Sequence, residues 1–145
     1  MAGIGFVCLQ WALLEHLVLG LISTIETLAL ERVYLMFGSL DMKPRLDMAI
    51  LLARDVKVPE TYVQRIVAVR AALKAENLAE RRNQAVHGVQ KAAAQPNAMQ
   101  FTMPRRSEPK RTQTVTAADL AHLGTRINAL GEEITAIGEE IHNWK

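Results

Sequence analysis

Cysteine is nearly absent from this chain, with Cys8 the single one, and aromatic residues make up only 5% of 145 positions. One thiol excludes an intramolecular disulfide and a multi-cysteine metal centre, and it suits a reducing, cytoplasmic setting. The scarcity of aromatics, set against abundant Leu, Ala, Ile, Val and Met, disfavours sheets and favours helices. A formal charge of +2 is too small to announce a nucleic-acid binder, because phosphate affinity follows local clusters of Lys and Arg. The chain has no Gly-rich phosphate loop, Ser-centred elbow, HExxH or Cys/His cluster, so most enzyme classes find no support and no metal or cofactor is expected. Its length matches one domain, residues 1–145, that buries its own core.

What is present is helical periodicity. Over 5–25 one apolar stripe runs Val7, Trp11, Leu14, Val18, Ile22 and a second runs Leu9, Leu13, Leu17, Leu21. This helix needs cover on two sides. It is either a central core helix or, the preferred reading, one whose second stripe meets a twin subunit across a two-fold axis. Gln10, Glu15 and His16 interrupt the apolar run and argue for a buried helix rather than a membrane span or signal peptide. An irregular segment including residues 34–37 follows and breaks at Gly38-Ser39.

Helices are then predicted over 44–54 and 59–87, with Pro44 and Pro59 in first turns and Gly88 as the stop. Over 88–115 the helical period disappears. Gln95-Pro96-Asn97 reads as a turn and 99–103 as a short strand, so this insert is a loop or a small hairpin. Thr116 and Asp119 form a capping box that opens the last helix. On it Leu120, Leu123, Ile127, Leu130, Ile134, Ile137, Ile141 and Trp144 alternate steps of three and four, the seam of a bundle. Gly124, Gly131 and Gly138 recur every seven residues beside the seam, which predicts a neighbouring helix at close range. The pairs Glu132-Glu133 and Glu139-Glu140 read as solvated acidic faces. The expected fold is all-α, an antiparallel bundle of four to five helices with the insert before the last.

Chemistry concentrates at 80–88. Extending the helical period aligns Arg82 with Ala71, Ala75, Leu78 and Ala85, an inner stripe where a guanidinium needs an acid, a cleft or an anion. Asn83 and His87 are four apart and share a face, with Arg82 flanking them, so the three can converge on one small object. On RNA, His87 can move protons near neutral pH, Arg82 can hold the phosphate and Asn83 can orient it, without a metal. One His87 cannot serve as acid and base at once, whereas a homodimer joining these helices would supply two. Arg105, Arg106, Lys110 and Arg111 crowd a proline-bounded loop that is either solvated or a phosphate-attracting arm. His16, His122 and His142 read as solvated or satisfied histidines rather than ligands, Trp11 and Trp144 as core or interface residues, and Cys8 as a small buried hydrophobe.

Arg82-Asn83-x3-His87 resembles the R-x4-6-H motif of the HEPN superfamily, including the polar residue after the arginine. The resemblance implies a small α-helical bundle, a homodimer and a metal-independent endoribonuclease with Arg82, His87 and Asn83 catalytic; the basic loop is expected to assist capture of single-stranded RNA. It also implies a possible antitoxin or regulatory protein partner. Members of the family paired with nucleotidyltransferase antitoxins usually carry Tyr two places after the histidine, where this chain has Val89. The alternative within the same family is a non-catalytic interaction or nucleotide-binding module in which the motif is structural.

Overall fold

The structure, a computed structural model, describes residues 2–87, 89–92, 98–103 and 111–145. Their order is α1 (Ala2–Glu26), α2 (Leu30–Phe37), α3 (Met42–Asp55), α4 (Glu60–Ala75), α5 (Leu78–His87), β1 (Val89–Ala92), β2 (Ala98–Met103), β3 (Arg111–Thr116) and α6 (Ala117–Trp144). The chain is predominantly helical.

The long helices α1 and α6 form the axis of the core. Val7, Leu14, Val18 and Ile22 of α1 are buried with Leu123, Ile127, Ile134, Ile137 and Ile141 of α6. At this scale each such side chain contributes on the order of 1.5–3 kcal/mol when taken from water. The glycines show how close the two helices come. A Cβ at Gly124 would overlap the Phe6 ring, one at Gly131 would lie 3.2 Å from Leu17, and one at Gly138 would lie 3.9 Å from Leu21. The close approach expected from the seven-residue spacing is therefore made, and α1 is the partner.

This pair runs parallel, which an all-antiparallel bundle does not allow. Gly3 abuts Leu120 near the two N-termini, while at the other end the Lys145 Nζ donates to the Thr24 and Ile25 carbonyls. An ammonium there meets the carbonyls that α1 leaves unpaired at its C-terminus. Residues 34–37, expected to be irregular, belong to α2, and the predicted helix over 59–87 is divided into α4 and α5.

Three helices end on a residue with left-handed backbone, at Thr27 (φ 55°), Lys57 (φ 61°) and Asn77 (φ 49°). After α3 the Val58 N–H returns to the Ala53 carbonyl at 2.8 Å, the six-to-one bond of a Schellman ending. At Asn77 the reversal separates α4 from α5, and the Asn77 carbonyl accepts from Arg81 N–H at 2.9 Å to start the next helix. Asparagine tolerates this conformation better than most side chains. With neither glycine nor proline there, the break left no conspicuous mark in the sequence.

α4 packs antiparallel to α6. Arg65 donates from Nε and Nη2 to Glu133, at 2.7 and 3.1 Å, and from Nη1 to Glu140 at 2.8 Å; nearer the opposite end Arg126 forks onto Glu76 at 3.0 and 2.6 Å. Glu133 and Glu140 are thus engaged by Arg65 rather than simply solvated. The insert forms three antiparallel strands in the order β1-β2-β3, one more than a hairpin. At its end the Thr116 hydroxyl accepts from Asp119 N–H at 3.1 Å, and Asp119 accepts from Thr116 N–H at 2.8 Å, completing the predicted capping box. Cys8, expected to be buried, is only partly so, and Trp144 at the end of the seam is 44% exposed and so not part of this chain's core.

Candidate functional site

α5 begins at the Asn77 reversal, so its rotation is independent of α4, and the alignment of Arg82 with Ala71 and Ala75 does not carry across the break. Arg82 still turns inward. Its guanidinium lies 5.8 Å from the centroid of the Trp11 ring, and its Nη1 donates to Asn83 Oδ1 at 2.9 Å. Stacking a cation on the electron-rich face of an indole is attractive, all the more when water is excluded. Arg82 Nε is buried and has no hydrogen-bond partner among the described residues.

His87 is exposed. At about 100° per residue, five positions carry it about 140° around the helix from Arg82. Arg82 and Asn83 are joined by a hydrogen bond, while His87 lies four residues on from Asn83, on the same face of α5. Arg105, Arg106 and Lys110 lie outside the described residues, as does Gln95-Pro96-Asn97; Arg111 is the first residue of β3.

Beside Arg82 opens a cleft of about 660 Å³ that the sequence did not announce. It lies between the start of α3, the end of α4 and the start of α5, with Trp11 of α1 lining it as well. Met42, Leu46, Val67 and Leu73 contribute apolar wall, while Lys43, Arg70, Lys74, Asn77, Glu80 and Asn83 contribute polar groups. Arg70 is paired with Asp47 at 2.8 Å. Lys43 and Lys74 are exposed. Both were hidden to sequence reasoning because they come from helices 31 residues apart, and only packing puts them on one cleft.

Ion pairs between the α4 segment and α6 shift the acids they engage. The Arg126 guanidinium holds the Glu76 carboxyl below its ordinary value, and Arg65 does the same for Glu133. The Thr116 backbone N–H, followed by its hydroxyl, lowers Asp119. Each of these acids is ionised at neutral pH and engaged by its own partner, and the carboxylate on the cleft lining itself is Glu80.

A second surface is apolar. Phe6, Leu9 and Leu13 of α1 are exposed beside a groove between α1 and α6 of about 340 Å³, lined by Leu13, Leu17, Gly131 and Thr135 among others. Across Gly3–Glu26 α1 is also long and apolar enough, by length and composition, to cross a membrane. Among the described residues no cluster of His, Cys, Asp and Glu could hold a metal ion. No family model, curated protein or solved structure matches the chain.

Proposed function

We propose that the chain is a HEPN-like binding module in which the motif on α5 is architectural rather than catalytic. The observation that carries this reading is the commitment of Arg82 to the Trp11 ring and to Asn83, with His87 exposed about 140° around the helix from Arg82. An arginine used in this way fixes α5 against α1 and shapes the adjoining cleft, which is where a small ligand would be held. A homodimer fits the same picture. The exposed Phe6, Leu9 and Leu13 would then be covered by the same face of a second copy, as a two-fold interface requires. The polar Gln10, Glu15 and His16 interrupt the apolar run of α1, which supports a packed helix in a soluble protein, and the single Cys8 suits the cytoplasm.

The test combines stability with activity. Arg82→Ala is expected to melt below the parent while neither protein cleaves single-stranded RNA in EDTA. Normal melting of Arg82→Ala would remove the architectural role.

A second reading, metal-independent RNA cleavage at a dimer groove, is favoured by the unpartnered Arg82 Nε and by a His87 that a second copy could approach. Cleavage by the parent that His87→Ala abolishes would establish it in place of the first.

A further inference from the structure

We infer that the groove between α1 and α6 docks an amphipathic helix of a partner protein, one that presents arginine or lysine beside an apolar stripe to Glu132 and Glu139. This goes beyond the binding-module reading, which rests on α5 and its cleft. The chain itself contains the pattern for such docking. Glu133 and Glu140, seven residues apart on α6, are spanned by the one guanidinium of Arg65, and Arg65 belongs to a helix that buries Val63, Ile66 and Val69. Glu132 and Glu139 repeat that spacing about 100° around α6, both exposed and both on the groove lining. No cation among the described residues meets them. Glu132 accepts from the Asn128 amide at 2.9 Å, a neutral donor, and Glu139 has no hydrogen bond or ion pair among the described residues. The lining contains no lysine or arginine.

The shape of the groove selects a helix. Its accessible apolar wall is the exposed Leu13 with the half-buried Leu17 and Ala136, while Leu14 and Ile127 are closed off beneath them. Leu9, one turn before Leu13, continues the stripe and is 64% exposed. Along α6 the lining runs from Ile127 to Glu139, about 18 Å at the rise of a helix, an elongated site that three turns of a partner helix match and a compact small molecule does not. A helix laid there anchors through apolar residues at three- and four-residue intervals, and cations beside them answer the two carboxylates. A second copy of this chain would not supply those cations through α1, which has neither lysine nor arginine; two such faces brought together would leave the acids of both copies unanswered. Because Leu9 and Leu13 are shared with the proposed two-fold contact, the test reads self-association as well.

The experiment follows the fluorescence anisotropy of a labelled, helix-forming peptide of about 18 residues as the full chain is added. The peptide carries leucines at three- and four-residue spacing, bordered by two arginines seven apart; in a control peptide both arginines are citrulline, which keeps the shape and removes the charge. The arginine peptide is expected to bind about five- to tenfold tighter than the control. The double variant Glu132→Gln/Glu139→Gln is expected to erase that difference at an unchanged Tm, since both acids are exposed. Thr135→Trp, which obstructs the lining from an exposed position, should weaken both peptides, and the sedimentation velocity of the chain should show no dimer that the peptide dissociates. Absence of binding, equal affinity for the two peptides, full discrimination by the double variant, or indifference to Thr135→Trp would each overturn the proposal. A dimer dissociated by the peptide would assign the groove to a second copy and overturn it too. The comparison of the two peptides on the parent remains decisive if a variant is unstable.

Discussion

Arg82 of α5 stacks its guanidinium on the indole of Trp11 in α1, 5.8 Å from the ring centroid, and holds Asn83 with the same group. Because Trp11 is 95% buried in the core, at 5% exposure, this contact joins a short helix to the main axis of the fold. Arg82→Ala should therefore cost about 1–3 kcal/mol, combining lost stacking, packing and a hydrogen bond. His87→Ala, at an exposed position, should stay within about 0.5 kcal/mol of the parent. Urea unfolding followed by Trp fluorescence measures both, and equal losses at the two positions would contradict the assignment.

The three glycines of α6 should respond differently to alanine. Gly138→Ala places its Cβ in ordinary contact with Leu21 at 3.9 Å, so it should gain about 0.5–1 kcal/mol from helix propensity alone. Gly124→Ala has to displace the Phe6 ring, which opposes that gain and should turn it into a net loss of about 1 kcal/mol. Thermal melts of the two variants should move in opposite directions, and a rise for both would mean that the helices are not so close at Phe6.

Lys57 takes a left-handed conformation at φ 61° to let Val58 close the end of α3. A side chain there costs on the order of 1–2 kcal/mol that glycine avoids, less the chain entropy glycine adds in the unfolded state. Lys57→Gly should raise stability by about 0.5–1 kcal/mol in denaturant titration, with an unchanged far-ultraviolet circular dichroism spectrum; a fall would show that the lysine chain contributes elsewhere.

Acid should loosen the α4–α6 contact. Arg65 lowers Glu133 and Arg126 lowers Glu76 from the ordinary value of 4.5, so both carboxyls have a folded pKa below the unfolded one. Their stabilisation is fully present above that ordinary value and is lost as the pH falls through the depressed folded values. Both pairs are partly exposed, so the effect is modest and salt-sensitive. The Tm of the parent should drop more steeply below about pH 4.5 than that of Arg65→Met; parallel curves would show that the pairing contributes nothing to the acid response.

Much of α6 was legible in the sequence because its signals are local. A capping box, a three-four alternation and glycines seven apart all refer to neighbours on one helix, and the structure uses each of them. The first helix was legible for the same reason, down to the excess of apolar surface left at Leu9 and Leu13. Asn77 was not, since an asparagine in a left-handed turn looks no different in sequence from one inside a helix. Once that break was missed, the register of Arg82 relative to α4 could not be inferred, although its inward orientation survived.

The order of residues was enough to set the helical character, the identity of the long helices and the charge placed on α5, because backbone hydrogen bonding and amphipathic period act over a few residues. Only tertiary packing decided that α1 and α6 lie parallel, that Arg82 meets Trp11 while His87 does not join it, and that Lys43 and Lys74 share a cleft. Each of these is a relation between side chains far apart along the chain, and such relations are governed by which apolar faces can be buried together.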